Sequence, residues 1–199
     1  MNLNAESLIN TANFVKELSS NQISQITLDL AEAIKAATNQ LLAAIQVDIA
    51  NNLNQPETNL TIEDINQLVF ELREISNLPS SLDDLNTSFT LIDHETTSQQ
   101  HIIGFYNMNN LNLLIDAVGI SLIKGLSLII FVNPQIQQLS QVLQTIINQT
   151  LAKYNIEQHF INLISLNQIQ NYELKIDQLF AKQEDSSALD NLKVSIIYI

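Results

Sequence analysis

HIIGFYNMNNLNLLIDAVGISLIKGLSLIIFVNP, residues 101–134, is the stretch that decides the fold. It opens on a short apolar run of β type at residues 101–106 (HIIGFY). Residues 111–124 are then long enough for a helix, and Gly125 supplies its stop. Residues 126–132 (LSLIIFV) are apolar without alternation, as a strand covered on both faces must be. Asn133 and Pro134 follow, an N-cap and a proline at the first helical position. A strand, a helix of this length and a second strand make a crossover unit, so the two strands run parallel.

Working outward toward the C-terminus, Ile136, Leu139, Val142, Leu143, Ile146 and Ile147 give the next helix, ending near Tyr154. Residues 160–165 (FINLIS) read as a third strand. Asn167 would cap a further helix bearing Ile169, Tyr172, Ile176, Leu179 and Phe180, and residues 194–199 (VSIIYI) read as a fourth strand. The β-α-β-α-β-α-β order predicts an α/β fold, a parallel sheet with helices on both faces.

Working toward the N-terminus, the chain reads as helices. Leu8, Ala12, Val15 and Leu18 form one stripe. After an N-cap in Ser19-Ser20-Asn21, a single helix over residues 22–51 is predicted from Ile23, Ile26, Leu30, Ile34, Ala37, Leu41, Ile45 and Ile49. Residues 51–59, with Pro56, form a loop. Thr61 with Asp64 three residues later opens a third helix in a capping-box arrangement, closed at Leu78-Pro79. Residues 82–100 change character, from weak alternation to a polar run, and predict a hairpin or extended segment. The division is thus a helical segment over 1–81, the hairpin over 82–100 and the α/β part over 101–199, all in one domain. No internal repeat is present.

Composition excludes several chemistries. The 199 residues carry 8 Lys+Arg against 21 Asp+Glu, a net charge of -13, with Arg73 the one arginine. Such a chain repels phosphate backbones, so nucleic acid is not an expected partner. With no Cys there is no thiol nucleophile, disulfide or thiolate metal site in these residues. His94, His101 and His159 make no ligand pair at helical spacing, so no metal site is expected. Three Gly, all isolated, cannot build a glycine-rich phosphate loop. No basic leader or long apolar span is visible, so a cytoplasmic chain without a membrane segment is expected. Asn and Gln are numerous but scattered, which reads as neutral surface.

The order and spacing of several stretches resemble the N-terminal, cofactor-domain half of gamma-glutamyl phosphate reductase (glutamate-5-semialdehyde dehydrogenase), a family of the aldehyde dehydrogenase superfamily that works in proline biosynthesis. ANFVKELSSNQISQITLDLAEAIKAATNQLLAAIQVDIANN resembles the opening, a Leu-Ser-Ser before a long helix. TIEDINQLVFELREISNLPSSLDDL resembles a helix closed by a Leu-Pro-Asp-Pro turn, and HIIGFYNMNN resembles the first strand of the cofactor domain. SLIKGLSLIIFVNP and LDNLKVSIIYI resemble the second strand with its preceding Gly and a later strand of the same sheet. The resemblance spans nearly the whole chain and the first half of the family's usual length. It implies a Rossmann-like sheet, and it implies a subunit-association hairpin at residues 87–100.

The departures from the family pattern bear on function. The family's Arg-Pro-Asn after the first strand supplies an oxyanion-holding amide. Here Asn110 stands nearest, in a turn that is Asn-rich throughout and lacks the Arg and Pro. After the second strand the family has a basic, Gly-rich stretch. Here Phe131-Val132-Asn133-Pro134-Gln135 offers neither a base nor a glycine, although a cofactor 2′-phosphate would call for one. Asn133 and Gly125 are the cofactor-side candidates, and Gly125 is equally explained as a helix C′ residue. The family's catalytic thiol belongs to a later domain. The expectation is therefore a degenerate, non-catalytic module with no cofactor, engaging a protein partner or itself through residues 87–100 and the edge strand 194–199. The alternative is the cofactor-binding half of an NADP- or NAD-dependent enzyme whose Cys-bearing domain is on another chain. Lys124 is read as answering the helix dipole, and Asp83-Asp84 and Glu184-Asp185 as solvated loop pairs. His94 is assigned no role.

Overall fold

In the computed structural model, Ile102–Met108 (β1), Ser127–Val132 (β2), Ile161–Ser165 (β3), Gln178–Ala181 (β4) and Ser195–Tyr198 (β5) form one sheet. The order is β3-β2-β1-β4-β5 and every neighbouring pair is parallel. The structure describes residues 5–51, 60–77, 100–108, 111–172 and 175–198. The predicted hairpin lies almost wholly outside them, as does Asn110.

The register places β1 at the centre, with Phe105 level with Ile130 of β2 on one side and with Phe180 of β4 on the other. Side chains alternate between two cores because successive residues of a strand point to opposite faces. Leu128, Ile130 and Val132 of β2 enter one core, and Ile129 and Phe131 the other. Two buried faces are what the unbroken run LSLIIFV required, and all of β2 is buried.

The helices are Ala5–Lys16 (α1), Ser20–Ala36 (α2), Thr38–Asn51 (α3), Ile62–Ser76 (α4), Leu111–Lys124 (α5), Gln137–Ala152 (α6) and the single turn Ser186–Leu189 (α7). The first core lies between the sheet and the layer formed by α2 to α6. Ser19 and Thr61 cap α2 and α4, each in a reciprocal capping box, with Gln22 and Asp64. The second face is covered more thinly, by Leu8 of α1, the 3-10 turn Leu166–Asn171 and Leu189. Helix α1 passes across the amino end of the sheet, since Leu8 enters the second core while Ala12 and Val15 enter the first. The Ser127 hydroxyl, at the start of β2, donates to Leu8 O at 2.8 Å and ties the two together.

Two sequence expectations are corrected. The single helix over residues 22–51 is two helices, parted at Ala37 (φ -89, ψ 7). The apolar stripe runs straight through the break, so periodicity could not reveal it. The local cause is Thr38, whose hydroxyl donates to Lys35 O at 2.7 Å and competes with the helix ladder. The bend lets α2 pack on α4 while α3 packs on α6.

The helix expected after Asn167 is the 3-10 turn Leu166–Asn171, and its supposed last turn is β4. The sheet therefore has five strands rather than four. Leu179 and Phe180 are not two members of one helical stripe. They face opposite cores, Leu179 and Ala181 the second and Phe180 the first. Phe180 stacks on Phe105 with ring centroids 5.0 Å apart. Burial on both faces converted a four-residue run that looked helical into a strand, an override by tertiary packing.

Candidate functional site

The chain builds β1, β2 and β3 in one direction from the centre, then returns to place β4 and β5 on the other side of β1. In an open parallel sheet the ligand crevice lies at such a reversal, outside the carboxyl ends of the strands. Here that is the edge where β1, β2 and β4 end, near Tyr106, Asn133 and Lys182.

Asn133 leaves β2 in extended conformation (φ -62, ψ 136), and its Oδ1 accepts from Gln135 N at 3.0 Å. Pro134 takes the first position of the 3-10 turn Pro134–Ile136, which runs into α6. The cofactor-side candidate Asn133 thus stands at the crevice, with its side-chain oxygen engaged as a cap.

The amino end of α6 is an anion-attracting feature of this edge, because its first amides lack helical partners and the dipole points positive there. It is already filled. Asp48 of α3 accepts from Gln138 N and Leu139 N, both at 2.9 Å. The Asp48 residue is only 3% exposed. Sequence reading missed this residue, although a signal existed. Leu41, Ala44, Ile45 and Asp48 share the buried face of α3 at spacings of three and four, so a carboxylate sits in an apolar stripe. Such a carboxylate must meet donors.

At the end of β4 the crevice gains Lys182, a position that a helical reading of residues 178–181 hides. Its Nζ lies 3.5 Å from Glu184 Oε1. The pair Glu184-Asp185, expected as a solvated loop pair, is in the 3-10 turn Gln183–Asp185 directly after β4, with Glu184 exposed and Asp185 half-buried. Burial raises the Tyr106 phenol above its ordinary pKa, and the Asp185 carboxylate beside it adds to the rise.

Gly125 is elsewhere. It sits before β2, at the amino end of the sheet, and the six residues of β2, roughly 20 Å of strand, separate it from Asn133. Its φ of +61 and the bond from Leu126 N to Ser121 O at 2.9 Å make it the left-handed C′ residue of α5. A Cβ there would stand 2.8 Å from Lys16 N of α1. Lys124 occupies the last turn of α5, as the dipole reading expected. Among the described residues no three His, Cys, Asp or Glu gather as a metal site. No described helix is long and apolar enough to cross a membrane.

The helical layer, the five parallel strands and the reversal at β1 and β4 define a Rossmann-like α/β fold, the fold of part of an aldehyde dehydrogenase. Among solved structures, a gamma-glutamyl phosphate reductase of Thermotoga maritima superposes with a TM-score of 0.76 at 11% identity, covering 98% of this chain and 52% of its own. The Saccharomyces cerevisiae gamma-glutamyl phosphate reductase gives 0.75 at 12% identity, covering 97% of this chain and 54% of its own. A glyceraldehyde-3-phosphate dehydrogenase of Methanocaldococcus jannaschii, solved with NADP, gives 0.63 at 15% identity over 96% of this chain and 44% of its own. The chain spans about half the length of the reductases that it resembles. No family model matches the sequence, and no curated protein matches it either.

Proposed function

We propose that these 199 residues are a non-catalytic, aldehyde-dehydrogenase-like module that acts by binding protein and holds no dinucleotide. The observation that carries the reading is Asp48. Its carboxylate takes two of the amides that the α6 terminus could offer a phosphate, and it does so from a buried position. Lys182, a base at the same edge, has Glu184 beside it. A phosphorylated cofactor approaching this edge meets carboxylates where it needs cations. The residues also hold no thiol, so thiolate chemistry of the kind covalent dehydrogenases use would have to come from outside them.

The association surface we assign is the β5 edge of the sheet. Among the described residues no strand pairs with its outer rim, which is neutral in side-chain charge, with Ser195 exposed and Tyr198 36% exposed. An edge of this kind accepts a further strand. Residues 87–99, the other surface that the sequence nominates, lie outside the described residues.

Titration calorimetry with NADP and with NAD, each at high micromolar concentration, tests the first half of the reading. No heat beyond dilution is the expected result. Saturable binding of either nucleotide overturns it and favours the cofactor-binding half of an NAD(P)-dependent glutamate-5-semialdehyde dehydrogenase. Light scattering during size-exclusion chromatography, alone and after capture from the native source, tests the second half. A stable monomer that captures nothing overturns it.

A further inference from the structure

Strand β3 is the other edge of the sheet, and among the described residues no strand pairs with its outer side. In a parallel ladder a strand turns the backbone groups of alternate residues to its neighbour. Leu128 N of β2 donates to Phe160 O at 2.7 Å, so residues 160, 162 and 164 face β2 while the backbone groups of 161 and 163 face outward. An edge of this kind is a template for further pairing. The strand INLIS holds no charge and no proline to prevent it, and its register with β2 is unbroken.

Helix α6 supplies what the strand lacks. Gln144 Nε2 donates to Ile161 O at 2.8 Å, and Gln144 Oε1 accepts from Leu163 N at 2.6 Å. These are the two bonds that one residue of a neighbouring parallel strand makes when it lies level with Asn162. Gln144 Nε2 also donates to Asn148 Oδ1 at 2.8 Å, one turn further along α6. The amide is thereby fixed in orientation, because the flipped amide sets its NH2 against the Leu163 N–H and its oxygen against the Ile161 carbonyl.

We propose that the Gln144 amide substitutes for one residue of a further strand and closes the β3 edge, and that the strand it keeps out is β5 of a second copy of this chain. Every pair in the sheet is parallel, so β5 of one copy would meet β3 of the next in the same sense as the pairs inside the sheet. Both strands, INLIS and SIIY, are neutral, so no side-chain charge on either opposes the contact. A head-to-tail contact of this kind does not close on itself. Each addition leaves one β3 edge and one β5 edge exposed again, and the product is a fibre. With β3 closed, association through the sheet is confined to β5 and each chain takes one partner there. That last step rests on the β5 reading under Proposed function.

Gln144→Leu keeps the bulk of the side chain and removes both bonds to β3. Amide exchange by nuclear magnetic resonance on the full chain reads the closure. Leu163 N–H should be protected in the wild type although it faces outward, and should exchange about tenfold faster in the variant, the loss of one hydrogen bond. A wild-type Leu163 amide that exchanges as fast as a free peptide, or one that the variant does not accelerate, overturns the closure. Light scattering over a range of concentrations reads the growth. The variant mass should climb past that of a dimer, while the wild type should not exceed a dimer. Equal masses at every concentration overturn the fibre route. A misfolded variant would also aggregate, so Ser195→Lys and Tyr198→Lys are added to Gln144→Leu at β5. Growth needs both edges, so the combined variant should return to the wild-type mass, and aggregates that persist overturn the proposal. The β5 reading fails on the wild type alone, as a monomer that captures nothing, whereas Leu163 exchange reports on β3 whatever β5 binds.

Discussion

Replacing Asp48 tests whether the α6 terminus is closed by design of the fold. In Asp48→Ala the half-buried Gln138 N and the buried Leu139 N lose acceptors at 2.9 Å. Hydrogen bonds to charged groups contribute about 1.5–3 kcal/mol each, and losing an N-terminal cap costs about 0.5–2 kcal/mol. The two bonds share one carboxylate and one helix end, so they do not add fully. The expected loss is about 3 kcal/mol. Asp48→Asn keeps the shape and one acceptor oxygen, and should lose about half as much. Urea unfolding followed by far-ultraviolet circular dichroism measures both, with the midpoint falling and the slope unchanged. Against a total of about 5–15 kcal/mol for an ordinary domain, the alanine change is large but survivable. A loss below about 1 kcal/mol for Asp48→Ala would refute the reasoning, because water would then be satisfying those amides and the terminus would be open to other anions.

Three further outcomes are expected. Gly125→Ala places a Cβ in a left-handed residue and against the Lys16 backbone, so it should cost about 2–4 kcal/mol, and thermal unfolding that leaves Tm unmoved would contradict the tight α1 contact. Phe180→Ala empties the site that stacks on Phe105 and should cost about 3–5 kcal/mol, lowering Tm on the order of 10 °C in a scan of reversible unfolding. Thr61→Ala removes the hydroxyl that accepts from Asp64 N at 3.2 Å and should cost about 1 kcal/mol by urea denaturation.

Much of this fold is written locally, and the exceptions have local explanations. Strands β1, β2 and β3 were legible because each is a compact apolar run bounded by Gly, Asn or a polar turn. The capping sites Ser19 and Thr61 were legible because a cap is a property of four residues. Strand β4 was not, because QLFA is too short to show a period and is made a strand by Phe105 and Ile103 beside it. The break at Ala37 was not, because both halves of the long helix bury the same stripe. The crevice was legible only in part. Asn133 could be placed at the end of β2, but Lys182 could not be seen there while β4 was read as helix. The Asp48 anchor joins residues 90 positions apart and needs the fold to be read at all.

The bond from Ser127 to Leu8 bears on how the chain is made. The two residues are 119 apart in sequence. During synthesis at about 5–20 residues per second, α1 leaves the ribosome some 6–24 s before the strand that will hold it. Through that interval Leu8, Ala12 and Val15 have no core to enter. Strand β1 likewise waits for β4 to close its second side. Helix α1 is thus among the last of the described helices to be secured, and nascent-chain handling by chaperones has a long opening there.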